Sequence, residues 1–173
     1  SNDVLALMKR KYKREVFASR VQKIKHLIPD AFIGVDVIAG TNGETESFFN
    51  DSYNFIRDLD VSQLHVFPYS ERPDTFALQI PHVVPVPERH ERVKRLIDLS
   101  ERKHRLFYEN QLGETRNVLF EVDKKHNLIA GWTDNYVRVV TPWDESLVNH
   151  VVPFHLQSFA DDGTITGKIV KKA

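Results

Sequence analysis

The stretch Gly34-Val-Asp36-Val-Ile38-Ala-Gly40-Thr-Asn-Gly43-Glu44-Thr45 constrains the fold more than any other part of the chain. The β-branched residues Val35, Val37 and Ile38 favour an extended strand. Gly40 and Gly43 permit a sharp turn and let a ligand approach the backbone closely. Thr45 is placed to cap a helix, with Glu44 and Glu46 at the positive end of its dipole. The pattern is strand, glycine loop, helix, and in α/β folds ligands sit at this end of a strand. An ordinary strand-to-helix turn reads the same way, because a single glycine loop is an unspecific motif.

Periodicity extends the pattern in both directions. Phe17, Val21, Ile24 and Ile28 share one face of a helix expected over Lys13–Ile28, ended by Pro29-Asp30. Val4, Leu5 and Met8 before it form a short apolar stripe with no start signal. In the strand over Phe32–Ile38, Gly34, Asp36 and Ile38 share one face, and Ile33, Val35 and Val37 share the other. The aliphatic face should pack on helices, while the acid points to a lumen or cleft. A helix over Glu46–Leu59 and a second strand over Gln63–Tyr69 follow, with Leu64 and Val66 on one face and His65, Phe67 and Tyr69 on the other. Strand, helix, strand with this crossover is a parallel, right-handed unit. Two such strands cannot close a barrel or cover both faces of a sheet, so this part reads as a piece of a larger α/β structure.

After a proline-rich loop over Ser70–Pro87 and a long amphipathic helix over Glu88–Gln111, the texture changes. Asn117–Val122, Leu128–Thr133, Tyr136–Val140, Val151–Leu156 and Thr164–Val170 read as short strands with turn signals between them. Five short strands in this space point to a small barrel of the oligonucleotide-binding kind. The expected division is 1–112 and 113–173.

Composition narrows the chemistry. The chain of 173 residues has no cysteine, so its own thiolates hold neither a disulfide, a zinc ion nor an iron–sulfur cluster. The eight histidines do not fall at metal-ligand spacing, and neither a serine nucleophile elbow nor a phosphate loop occurs. No metal ligand and no catalytic residue is assigned. There is no membrane-spanning run and no targeting peptide pattern. Residues 1–30 carry eight Lys/Arg against three acids, which suits either a solvated helix face or an anion such as RNA. Residues 113–173 carry seven Lys/Arg against eight acids, so RNA binding there would need a local patch. Trp132 and Tyr136 are either stacking platforms or barrel core.

Three blocks carry a resemblance. Leu7-Met8-Lys9-Arg10-Lys11-Tyr12, then Asp36 to Thr45, then His65-Val-Phe-Pro68-Tyr69-Ser70-Glu-Arg72-Pro-Asp-Thr75 resemble, in this order, the radical-SAM methylthiotransferases. The branch they resemble most modifies threonylcarbamoyladenosine next to the anticodon of tRNA. From about Gly113, with Gly131-Trp-Thr-Asp-Asn135-Tyr136, the chain resembles that family's TRAM domain. The implied fold is a fragment of a partial (β/α)6 radical-SAM barrel followed by a five-stranded, OB-like TRAM barrel. Thr41 and Asn42 replace the usual Phe-Pro of the loop, and Asp74 stands where the pattern has glycine.

The resemblance implies a parent enzyme with two 4Fe-4S clusters and S-adenosylmethionine, whose 5′-deoxyadenosyl radical takes hydrogen from C2 of the modified adenine. This chain would be its C-terminal portion, starting just before the helix after the fourth barrel strand, and inactive alone. Val37, Ile38, Gly40, Phe67, Tyr69 and Ser70 would line S-adenosylmethionine. Lys124, Lys125, Trp132, Asn135, Tyr136 and Arg138, chosen on their chemistry, would contact tRNA. The implied partners are tRNA and the cluster-binding half of the same protein, in the cytoplasm. The unfinished sheet also predicts self-association. The rival expectation is a free-standing RNA-binding module without catalysis.

Overall fold

The computed structural model of the chain describes residues 1–125 and 127–170, with the backbone alone for 123–125. The chain divides into two compact units, 1–104 and 105–173.

In the first unit, α1 (Asn2–Leu7) and α2 (Arg14–Leu27) precede β1 (Gly34–Ala39), α3 (Glu46–Asp58) and β2 (Gln63–Pro68). A strap containing a 3-10 turn at Phe76–Gln79 then leads into α4 (Val86–Glu109), within which the boundary between the units falls. Ser1 Oγ accepts from Asp3 N–H at the start of α1, a start signal the sequence reading did not find. Thr45 caps α3 as its sequence predicts, its Oγ1 accepting from Phe48 N–H at 3.2 Å. Pro87 lies in the first turn of α4, where a missing N–H costs nothing.

β1 and β2 are parallel, with Asp36 opposite His65 and Ile38 opposite Phe67. They form a two-stranded sheet. Its aliphatic face, with Val35, Val37, Leu64 and Val66, packs on a core of Val21, Phe49, Leu96 and Leu99 from the three longer helices. That is the face the alternation assigns to helices. The edges of the sheet differ. At β2, Ser100 Oγ on α4 accepts from Leu64 N–H and donates to Leu64 C=O, at 2.8 and 3.0 Å. Beside the other edge, at β1, lies an apolar cavity of about 260 Å³, lined by Val4, Leu5, Tyr12, Phe17 and Phe55 among others.

The second unit is a closed barrel of β3 (Thr115–Lys125), β4 (Leu128–Thr133), β5 (Arg138–Pro142), β6 (Val151–Phe159) and β7 (Ile165–Ile169), in the order β3-β4-β5-β7-β6. Every pairing is antiparallel except β5 with β7. Val118, Phe120, Ile129, Val139, Phe154, Leu156 and Ile165 fill the interior, and Phe120 meets Phe154 edge to face at 5.7 Å. Five strands therefore form where the turn signals placed them. β5 begins at Arg138 rather than Tyr136, because Tyr136 has φ +67° and belongs to the turn.

Candidate functional site

Each unit presents one surface with the makings of a site. On the first it is the sheet face opposite the core. Gly34, Asp36, Ile38, His65 and Phe67 are exposed there, and Ile38 and Phe67 each show about half their area, 53% and 52%. Two large apolar side chains facing each other across strands form a platform suited to a flat, apolar ligand.

The glycine loop stands at the carboxyl end of β1, and it is built inward. Gly40, Thr41, Asn42, Gly43 and Glu44 are all buried. Gly40 and Gly43 have φ of +80° and +82°, which glycine adopts without strain. The close approach these glycines allow is made by the chain itself. A Cβ at Gly40 would lie 2.4 Å from Arg89 Cγ, and one at Gly43 would lie 2.7 Å from Leu7 Cδ1. The Glu44 carboxylate reaches back to accept from Gly40 N–H at 2.7 Å, and Arg92 holds it at 2.8 Å while also donating to Glu44 C=O at 2.7 Å. Arg92 is 1% exposed and also bonds Glu88. Arg89 ties the loop to the strap, donating to Val84 C=O, Tyr69 C=O and Glu71. That guanidinium holds the Glu71 carboxyl below its ordinary range. The strap returns two bonds to the loop, Asn42 Nδ2 to Ala77 C=O and Gly43 N–H to His82 C=O.

On the barrel, Leu119, Trp132, Tyr136 and Val151 are exposed and line a groove of about 570 Å³ with Asn117, Glu121 and Asp134. The Trp132 and Tyr136 rings lie 5.9 Å apart, and the Arg138 guanidinium sits 4.9 Å over Trp132 while bonding Glu121 at 2.7 Å. The turn that carries Tyr136 is held from below. Tyr108 Oη donates to Tyr136 C=O and accepts from Arg138 N–H, and burial pushes its hydroxyl pKa up. Asn135 donates to Gln111 and accepts from Thr133 Oγ1, each at 2.8 Å. The groove offers stacking area and one guanidinium, but two carboxylates share it, so nucleobase stacking is its strongest chemistry.

No protein-family model matches the chain. It is 40% identical over 156 residues to threonylcarbamoyladenosine tRNA methylthiotransferase of Bacillus subtilis, covering 88% of this chain and 35% of that protein. It is 36% identical over 173 residues to tRNA-2-methylthio-N(6)-dimethylallyladenosine synthase of Symbiobacterium thermophilum, covering 99% of this chain and 37% of that one. A threonylcarbamoyladenosine tRNA methylthiotransferase of Aquifex aeolicus is 36% identical over 139 residues. The chain belongs to the radical-SAM methylthiotransferase family. It spans about a third of the length of the curated relatives it matches.

Among methylthiotransferase features, the departure at Asp74 has a backbone reason. Asp74 has φ +60°, a left-handed conformation that glycine adopts freely and aspartate tolerates better than most residues. Thr41 Oγ1 and Asn42 Oδ1, in place of the usual Phe-Pro, are buried without a partner among the described residues.

The residues expected at S-adenosylmethionine separate by burial. Ile38 and Phe67 lie on the open face, Val37 packs toward the core, and Gly40 lies under Arg89. Tyr69 is half-buried and Ser70 exposed. On the barrel, Trp132, Tyr136 and Arg138 come together, whereas the Asn135 amide is spent holding the turn. The side chains of Lys124 and Lys125 lie outside the described residues. Sequence reasoning missed Arg89, Arg92 and Gln111, because a polar residue on an amphipathic helix reads as solvent-facing, and it put Tyr108 on the apolar side of that helix without the turn its hydroxyl holds. Among the described residues no helix is long and apolar enough to cross a membrane, and no group of three potential ligands gathers for a metal.

Proposed function

We propose that this chain is the C-terminal portion of a radical-SAM tRNA methylthiotransferase that adds a methylthio group to C2 of N6-threonylcarbamoyladenosine next to the anticodon. The observation that carries the reading is the uncovered face of β1 and β2. Ile38 and Phe67 stand half exposed on a two-stranded sheet beside an apolar cavity, the arrangement expected where further strands complete a barrel. The branch is supported by the 40% identity to the Bacillus subtilis threonylcarbamoyladenosine enzyme.

In this reading Ile38 and Phe67 meet the adenine of S-adenosylmethionine, the backbone of Val37 with Tyr69 and Ser70 forms its rim, and the buried Gly40 shapes the turn beneath it. The fit is of like with like, since an adenine ring is flat and apolar on its faces. The clusters and S-adenosylmethionine supply the radical and the sulfur when bound, and without a cysteine this chain gives neither cluster a thiolate. Its own residues orient the nucleoside and exclude water. Alone, it should not turn over. On the barrel, Trp132 and Tyr136 stack bases of tRNA beside Arg138; Lys124 and Lys125 are assigned to its phosphates on their chemistry, and Asn135 holds the turn in place.

Two measurements test this. Trp132→Ala should weaken binding of an anticodon stem-loop RNA about tenfold, within the usual range of about 1–3 kcal/mol per stacked base. Unchanged binding by fluorescence anisotropy would remove the stacking role. For the parent activity, the matched segment of the Bacillus subtilis relative is replaced by this chain. The chimaera should form methylthiolated threonylcarbamoyladenosine, detected by mass spectrometry of digested tRNA. A folded chimaera with assembled clusters that leaves the nucleoside unmodified would sink the proposal.

A further inference from the structure

We infer that the loop between α1 and α2, Lys9-Arg10-Lys11-Tyr12-Lys13, is a second RNA contact that binds phosphates of the tRNA backbone. The inference rests on the reading of the chain as part of a tRNA-modifying enzyme.

The first argument is unneutralised charge. All five residues are exposed. The side chains of Arg10, Lys11 and Lys13 have no ion-pair or hydrogen-bond partner among the described residues. The contrast with their neighbours is sharp. Arg14 is held by both oxygens of Asp51 at 2.7 Å, Arg89 by Glu71 and two backbone carbonyls, and Arg92 by Glu44 and Glu88. Three cations within four positions of one loop, without partners among the described residues, favour a polyanion.

The second argument is position. Lys9 turns the chain with φ +53°, and its ammonium lies 3.3 Å from the centroid of the Phe76 ring in the strap that follows β2. Leu7, two residues earlier, lies against Gly43. Both contacts put the loop at the carboxyl ends of β1 and β2, where α/β folds take their ligands. A substrate nucleoside entering at that mouth brings its own flanking phosphates to this loop. Tyr12, 51% exposed, adds a ring on which a base can stack.

The third argument is what the barrel lacks. Its stretch from residue 113 carries seven Lys/Arg against eight acids, and Arg138 is already paired with Glu121. Stacking supplies little of the salt-dependent attraction that draws RNA to a protein. The loop supplies what the barrel surface does not.

The test is a titration of the full 173-residue chain with an anticodon stem-loop RNA between about 50 and 200 mM KCl. The triple variant Arg10→Gln/Lys11→Gln/Lys13→Gln should reduce the slope of log K against log salt by about two, and weaken binding at the low-salt end by about tenfold or more. Tyr12→Ala should weaken binding about fivefold and leave the slope unchanged. These side chains are exposed, so the circular dichroism of each variant should match the parent. Parent-like slope and affinity in the triple variant overturn the loop's role and leave the barrel's standing. A parent chain that does not bind the RNA overturns both. Competition by polyglutamate as strong as by RNA would mark a general polyanion surface and also overturn the inference.

Discussion

Arg92→Met should cost the α/β unit about 3–5 kcal/mol, a large share of the stability of a domain this size. Arg92 is 1% exposed and Glu44 3%. Their guanidinium–carboxylate contact is 2.8 Å, and the same arginine also holds Glu44 C=O and Glu88. Removing the cation leaves a buried carboxylate with its Gly40 N–H bond but no counter-charge at 2.8 Å, and that uncompensated charge is the main penalty. The damage should centre on the glycine loop, because Glu44 also fixes Gly40 N–H. Both tryptophans lie in the barrel, so urea unfolding of the first unit is best followed by its helical far-ultraviolet signal. Adding Glu44→Gln should recover about 1 kcal/mol or more, since a neutral amide is cheaper to bury than an unpaired carboxylate. A single variant within about 0.5 kcal/mol of the parent would show that the pair does not organise the loop.

Gly167→Ala should open the barrel, with a loss of about 3 kcal/mol or more. A Cβ at this position would lie 2.0 Å from the His155 carbonyl oxygen and 2.7 Å from Phe154 Cε1. The first of these is backbone within the paired strands β6 and β7, so it cannot swing aside as a flexible side chain would. β7 joins β6 to β5, so moving it breaks closure and exposes the interior around Phe154 and Ile165. Trp132 and Trp143 report on this unit, and their fluorescence should show a lower midpoint in urea. The RNA affinity proposed for the groove should fall with it, because Trp132 and Tyr136 are placed by the intact barrel. A parent-like midpoint would mean that β6 and β7 can separate locally without loss of closure.

Much of this protein was legible because its signals are local. Val35 and Val37 alternate with Asp36 and Ile38, and that alternation alone put the aliphatic side chains on the core and left Ile38 facing out. Thr45 announced α3, and turn-forming residues separated the five barrel strands. The glycine loop was legible as a turn and not as a packed object. Its closest neighbours are Arg89 and Leu7, far from Gly40 and Gly43 in sequence. The Tyr136 turn was read as a strand start, since nothing local reports that Tyr108 and Gln111 hold it from beneath.

By itself, then, the sequence determined the order and kind of the elements, the orientation of the two faces of β1 and β2, and the absence of any thiolate in this chain. These depend on periods of two and 3.6 residues and on residue counts, which neighbours along the chain settle. Tertiary structure alone decided which charges are buried, which glycines mark close contacts, and that Trp132 and Tyr136 stand outside the barrel while Arg10, Lys11 and Lys13 have no partner among the described residues. Arg92 and Glu44 are 48 positions apart, and a side chain's solvation is set by what folds against it rather than by what precedes it.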